Sequence, residues 1–180
     1  MHRSAPEPTA RRVFFALWPD TACAAGLEDW SQSLLPLCGG RAIGRDAVHM
    51  TLVFVGALPG AAVEDLRAMA AGVRGSRFRL RFDGIAWQRR QRIVWAQCGA
   101  APTALRQLVE DLGRLLRNVG RTPEERPFKP HVTLLRNARC GAELPQIEPF
   151  EWMVGEFMLV ESKLGRHGAS YSALGRWALE

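Results

Sequence analysis

At 180 residues, 47% hydrophobic and 23% charged, the chain has ordinary globular composition and is long enough for one compact domain or two small lobes sharing a core, which excludes a disordered chain. A formal net charge of +6 favours an anionic partner, nucleic acid or nucleotide before membrane, because no basic amphipathic helix and no run of membrane-spanning length stands out. Only Lys129 and Lys163 are lysines, so the arginine excess, alongside abundant Ala and Gly, also fits a bias of genome composition.

Residues 1–11 read as a flexible polar tail without the apolar core of a secretory signal. Residues 12–18, rich in aromatic and branched side chains and stopped by Pro19, predict a strand buried on both faces. Asp20 or Thr21 caps a helix whose stripe Ala22, Ala25, Leu27, Trp30, Leu34 and Leu35 ends before Pro36. A glycine-containing loop over 38–45 leads to a strand at 48–55, and 61–73 reads as a second helix. Apolar and basic residues alternate over 78–82, the pattern of a half-exposed strand, and 85–87 with 93–98 form a hairpin around a polar turn. Thr103 caps a third helix with the stripe Leu105, Leu108, Val109, Leu112, Leu115 and Leu116. A polar loop over 121–129 precedes a strand at 130–136, and 157–163 with 171–179 are the last two strands. Cys23, Cys38, Cys98 and Cys140 form no Cys-x-x-Cys pair, so the expectation is four free thiols in a reducing cytoplasm, with neither disulfide nor zinc.

Two stretches repeat a pattern. His49-Met50-Thr51-Leu52 and His131-Val132-Thr133-Leu134 are both His-x-Thr-Leu, 82 residues apart, and the same offset matches Thr21 with Thr103, Glu28 with Glu110, Asp29 with Asp111 and Leu34 with Leu116. A duplicated unit of strand, helix, loop and His-x-Thr strand, once in about 13–55 and again in about 93–136, is the simplest explanation. It predicts an α+β fold of two pseudo-symmetric lobes of mainly antiparallel sheet with outer helices, forming a single bilobal domain over 12–180. The motif strands then face each other across a central cleft.

In a strand, residues i and i+2 share a face, so His49 with Thr51, and His131 with Thr133, project together into one groove while Met50, Leu52, Val132 and Leu134 point into the core. Two imidazoles facing one substrate suit an acid/base pair, since a pKa of roughly 6.5 lets one be neutral and the other protonated near neutrality. Threonine hydroxyls can donate to oxygens that gain charge in the transition state. A lone His on an apolar strand is more often a satisfied buried histidine; two copies at equivalent places in a repeat favour function. No third ligand lies at zinc-binding spacing, so no metal and no cofactor are expected. His2 and His167 read as solvent-exposed, and the six tryptophans as core.

The paired motifs resemble those of the two-histidine phosphoesterase superfamily, and within it the bacterial RNA 2′,3′-cyclic phosphodiesterase family, historically called 2′-5′ RNA ligases. The flanks are similar too: Arg12-Val13-Phe14-Phe15-Ala16-Leu17-Trp18-Pro19, Phe128-Lys129-Pro130 before the second motif with Arg136 after it, and Ser162-Lys163-Leu164 with Gly168 and Tyr171. The resemblance implies metal-independent opening of a 2′,3′-cyclic phosphate at an RNA 3′ end to a 2′-phosphate, with His131 as proton acceptor, His49 as proton donor and Thr51 and Thr133 beside them. It also implies that the same enzyme can join RNA ends through a 2′-5′ bond. The implied partner is RNA or an oligonucleotide with such an end, met by a cytoplasmic monomer. Phe54 and Arg136 stand at the same offset, five positions after each histidine. Odd spacing puts both on the face opposite the histidines in a regular strand; the resemblance implies instead that they line the cleft and bind substrate. Two alternatives stay open: a phosphodiesterase for a small nucleotide or an ADP-ribose cyclic phosphate, and a non-catalytic nucleotide-binding module.

Overall fold

The computed structural model describes residues 10–180 except 142, 166 and 167. Most of the expected tail, together with His2 and His167, lies outside the described residues. The elements run β1 (Arg11–Leu17), α1 (Thr21–Cys38), β2 (Arg41–Ala42), β3 (Met50–Leu58), α2 (Gly60–Ala70), β4 (Phe78–Gln88), β5 (Ile93–Cys98), α3 (Thr103–Asn118), β6 (His131–Arg136), β7 (Phe150–Val154), β8 (Glu156–Gly165) and β9 (Gly168–Ala178). This is the α+β architecture of two antiparallel sheets with helices outside. One sheet has the order β3-β1-β8-β9 and the other β2-β6-β5-β4-β7.

Apart from the short edge strand β2, the two orders correspond, with β3 matching β6, β1 matching β5, β8 matching β4 and β9 matching β7. The helices cross over. α1 leaves the four-stranded sheet and packs on β2, β6 and β7 of the other, whereas α3 leaves the five-stranded sheet and packs on β3 and α2. Each lobe is therefore covered in part by a helix from the other repeat, and one continuous core joins Leu17, Leu27 and Met50 to Leu80, Leu108 and Leu134. Separating the lobes would expose the apolar stripes of both helices.

Local differences from the sequence expectations have physical causes. Asp20 caps α1 by accepting from Cys23 N at 2.8 Å. The helix runs through Pro36 for two more residues and ends where Gly39, at φ 57°, donates to the Leu35 carbonyl at 2.8 Å. Pro102, not Thr103, precedes α3, and Thr103 Oγ1 accepts instead from Arg106 at 3.0 Å. The segments 78–82 and 85–87 are one strand, β4, bent where its register with β5 shifts beside Gly84.

The expectation of four free thiols is corrected: Cys38 and Cys140 form a disulfide. They are 102 residues apart and meet only because α1 packs on the lobe of the other repeat, a contact that spacing cannot reveal. Cys23 and Cys98 remain free and buried, and burial pushes the Cys98 thiol up to about 12, so neither is a thiolate at neutral pH.

Candidate active site

His49 immediately precedes β3, His131 opens β6, and these two strands pack against each other between the sheets. Met50, Leu52, Val132 and Leu134 are buried as alternation requires, which turns the histidines and threonines to the other face. Both imidazoles are held in the same way. His49 Nδ1 lies 2.7 Å from the Ala47 carbonyl and His131 Nδ1 lies 2.8 Å from the Lys129 carbonyl, in each case two residues back. A carbonyl oxygen only accepts, so each Nδ1 carries a hydrogen and donates it, leaving Nε2 as the nitrogen available for chemistry.

The strands resolve the parity of Phe54 and Arg136 by bulging. β1 pairs Ala16 with Thr51 and Phe15 with Val53, so Leu52 has no partner; β5 pairs Trp95 with Thr133 and Val94 with Leu135, so Leu134 has none. The two bulges fall at the same offset of 82 as the motifs. Each inserts one residue, so Leu52 with Val53, and Leu134 with Leu135, are buried in succession. Phe54 then pairs with Phe14 on the face where Thr51 pairs with Ala16, and Arg136 pairs with Ile93 on the face where Thr133 pairs with Trp95. Phe54 is 61% exposed on that face, unusual for a large apolar side chain on a strand.

Arg136 is fixed by a strap from α1 and β2. Arg41 pairs with it across the ladder, the Ile43 amide donates to the Leu134 carbonyl at 2.9 Å, and the Arg139 amide donates to the Cys38 carbonyl at 2.7 Å. Gly40, at φ 86°, makes the close turn possible, because a Cβ there would stand 2.5 Å from the Arg136 carbonyl oxygen. The disulfide closes this strap just beyond β6.

The surroundings of the two imidazoles differ. Trp18 stacks on His49 with centroids 5.0 Å apart and planes 11° from parallel, Tyr171 meets it edge-on at 5.0 Å and Phe14 at 5.1 Å. These rings close a small cluster with Ala16, Met158 and Val160. Burial in it holds His49 below the usual imidazole pKa; the hydrogen bond to Ala47 opposes this, and the positive charges of Arg136 and His131 push further down. Among the described residues His131 has one ring neighbour, Trp95, at 4.2 Å. Beside it an open cavity of about 280 Å³ is lined by Trp95, Gln97, Phe128, Lys129 and His131.

The reading of all six tryptophans as core is thus corrected for Trp95, which packs on neither hydrophobic cluster, while Trp18 packs on the smaller one. Trp30 and Trp152 are buried in the core and Trp87 and Trp177 pack on it, but Trp18 and Trp95 flank the histidines. Trp95 shares its face with Ile93 and Gln97, an alternation visible in the sequence; that this face meets His131 needs the β5–β6 register.

The profile of the 2′-5′ RNA ligase superfamily matches residues 18–166. The RNA 2′,3′-cyclic phosphodiesterase of Escherichia coli K12 is 32% identical over 171 residues, covering 94% of this chain and 97% of that protein. The protein of the same name from Thermus thermophilus is 31% identical over 93% of this chain and 90% of its own. The crystal structure of E. coli LigT in apo form superposes with a TM-score of 0.86 at 31% identity, covering 95% of this chain and 98% of LigT, and LigT complexed with 3′-AMP gives 0.86 over 94% and 98%. Among the described residues no helix is long and apolar enough to cross a membrane. A pair of repeated His-x-Thr strands joined across two sheets, in a chain that matches these relatives from end to end, places it in one group: the chain belongs to the RNA 2′,3′-cyclic phosphodiesterase family of two-histidine phosphoesterases.

Proposed function

We propose that this protein hydrolyses the 2′,3′-cyclic phosphate at an RNA 3′ end to a 2′-phosphate, without a metal ion. The observation that carries the reading is the matched pair of imidazoles, each with Nδ1 bound to its own backbone and Nε2 left free, on adjacent strands beside Thr51 and Thr133. Water attacks phosphorus opposite O3′; His131 Nε2 takes the water proton, His49 Nε2–H protonates O3′, and the P–O3′ bond breaks. The threonine hydroxyls donate to the phosphoryl oxygens and Arg136 balances their charge. An RNA 5′-hydroxyl in place of water gives a 2′-5′ bond by the same proton movements.

The donor role of His49 has a condition. Burial disfavours its imidazolium in the unliganded site, so the substrate's own phosphate charge must bring the proton back when it binds. The same shift favours a second reading, in which His49 is the acceptor and His131 the donor. A phosphodiester with a nitrophenolate leaving group, which needs no proton, separates them: His49→Ala should spare that substrate if His49 is the donor, and His131→Ala should spare it if the roles are reversed.

The main test is direct. An oligonucleotide ending in a 2′,3′-cyclic phosphate should yield a 2′-phosphate in the presence of EDTA, and loss of turnover in EDTA restored by a divalent ion would overturn the metal-free mechanism. Turnover of a small cyclic nucleotide or ADP-ribose cyclic phosphate in strong preference to the oligonucleotide would move the substrate class. Nucleotide binding with no turnover of any cyclic phosphate would make the protein a binding module.

A further inference from the structure

At the end of the cleft away from the histidines each sheet presents an arginine. On the four-stranded sheet Arg12 pairs with Ser162, and Ser162 pairs with Tyr171. Partners across a ladder share a face, and the Tyr171 ring meets His49, so Arg12 stands on the cleft face one row beyond Phe14 and Phe54. On the five-stranded sheet Arg41 is the ladder partner of Arg136 and shares its face. The end of the β8–β9 hairpin reaches across to it, since a Cβ on Gly168 would stand 4.0 Å from an Arg41 guanidinium nitrogen. Arg12 and Arg41 are exposed, and among the described residues no carboxylate pairs with either of them or with Arg136. Glu161, next to Ser162, is already held by Arg11 and Lys163. Arginines on the outer helices are matched instead: Arg45 with Glu28 of α1, Arg67 with Glu64 on α2, and Arg114 with Glu110 and Asp111 on α3.

We infer that this opening is the track of the RNA chain, in which Arg12 and Arg41 bind phosphodiesters on the 5′ side of the nucleotide that carries the cyclic phosphate. The inference rests on the phosphodiesterase reading above. A cyclic phosphate at a 3′ end leaves the rest of the chain attached at the 5′ oxygen, with one negative charge per further nucleotide, and that chain must leave the cleft. At the other end of the motif strands Trp18 covers His49, and the cavity beside His131 is lined by one lysine, Lys129, and by no arginine. A guanidinium gives two parallel N–H donors to the oxygens of a phosphodiester, and two such groups on opposite banks hold a backbone without reading its bases. The track therefore selects single-stranded RNA ends over mononucleotides, whatever their sequence.

The test compares kcat/KM for a tetraadenylate ending in a 2′,3′-cyclic phosphate with that for 2′,3′-cyclic AMP, which has no phosphate on its 5′ side. Taking the ratio within each variant cancels changes in the chemical step. The wild type should prefer the tetranucleotide by about 10-fold or more at low salt. That preference should fall with salt at a logarithmic slope of about −1.4, or roughly 0.7 for each of two phosphates. Arg12→Gln with Arg41→Gln should erase both the preference and the slope, Arg12→Lys with Arg41→Lys should keep the slope, and Arg114→Gln on the outer helix should change neither. A wild type indifferent to chain length, or a double Gln variant that keeps the preference, would overturn the inference. If the wild type turns over neither substrate, the phosphodiesterase reading fails, and fluorescence anisotropy of the same tetranucleotide, labelled at its 5′ end, still decides the track. Salt-dependent binding lost in the double Gln variant supports it, and binding equal in the two proteins, or none in the wild type, overturns it.

Discussion

The four-stranded and five-stranded sheets carry the same motif to the cleft and enclose it differently. Around His49 the sheet face is a closed aromatic cluster, with Phe14, Trp18 and Tyr171 all within 5.1 Å of the ring by centroid. Around His131 it is Trp95, an exposed Gln97 and an open cavity. Duplication supplies two identical imidazoles with identical backbone bonds, but an acid/base pair needs them in different protonation states. The neighbours differ, and burial among them lowers the pKa of His49. Trp18 against Gln97, opposite the two histidines, and the aromatic residues around the first, set one imidazole in an apolar shell and leave the other beside a polar opening.

The largest test of this contrast removes either imidazole. His49→Ala and His131→Ala should each lower kcat on a 2′,3′-cyclic phosphate by about 10²-fold or more, and the double variant should lose much less than the product of the singles because the two act as a unit. Near-normal turnover by a folded single variant would reduce the repeat to scaffold. Next in size is the clip on the five-stranded side. Cys38–Cys140 spans 102 residues, so reduction, or Cys38→Ser with Cys140→Ser, should cost about 2 to 4 kcal/mol of stability and lower Tm. An unchanged melt after confirmed reduction would show that the strap around Arg136 holds without it.

Much of this asymmetry lies beyond the reach of periodicity. The two lobes, the histidine and threonine faces and the helices were legible because strands and amphipathic helices carry short-range periods, and because the repeat doubles the signal. The cleft position of Phe54 and Arg136 contradicts simple alternation and follows from the bulges at Leu52 and Leu134, which depend on how β1 and β5 pair. The strand β2, the crossing of α1 and α3 and the Cys38–Cys140 bond are all long-range: none has a local pattern to read. Pro36 shows the opposite error, a local stop signal overridden for two residues by the packing of α1, which buries Leu34 and Cys38 on either side of it.

Arg136→Ala comes third. Its guanidinium faces the same cleft, and a charged hydrogen bond to phosphate contributes about 1.5 to 3 kcal/mol, so kcat/KM should fall by about 10-fold to 10²-fold. Removing its positive charge should also let His49 titrate higher. Phe54→Ala should be milder, appearing in KM if the exposed ring touches substrate. On the four-stranded side, Arg11 makes two 3.0 Å bonds to Glu161, which is only 6% exposed, and ties β1 to β8. The Arg11 hydrogen bond holds the Glu161 carboxyl below its ordinary value. A depressed folded-state pKa gives stability that is present above the unfolded value, about 4.5, and is lost as pH falls through the folded one. Glu161→Gln should therefore destabilise by about 1 to 2 kcal/mol at neutral pH, discounted because Arg11 is part-exposed, and the gap from wild type should close in acid. A gap that persists at low pH would assign the effect to packing.

The smallest effect bears most directly on the contrast between the lobes. Trp18→Ala opens the shell around His49 without touching its bond to Ala47. Burial is the first cause of the lowered pKa, so admitting water should move the His49 titration up toward the ordinary imidazole value. Ring resonances followed by NMR against pH would report this directly in the unliganded protein. The kcat/KM profile, a bell belonging to the coupled pair, should show the same upward movement in the limb that His49 dominates, with little loss at the optimum. The direction of the rate change then reads the role: a donor gains from holding its proton to higher pH, whereas an acceptor loses activity on the acid side. Should the His49 resonances titrate as in the wild type, the aromatic shell would be packing around a histidine whose protonation is set elsewhere, and Arg136 would be the residue to examine.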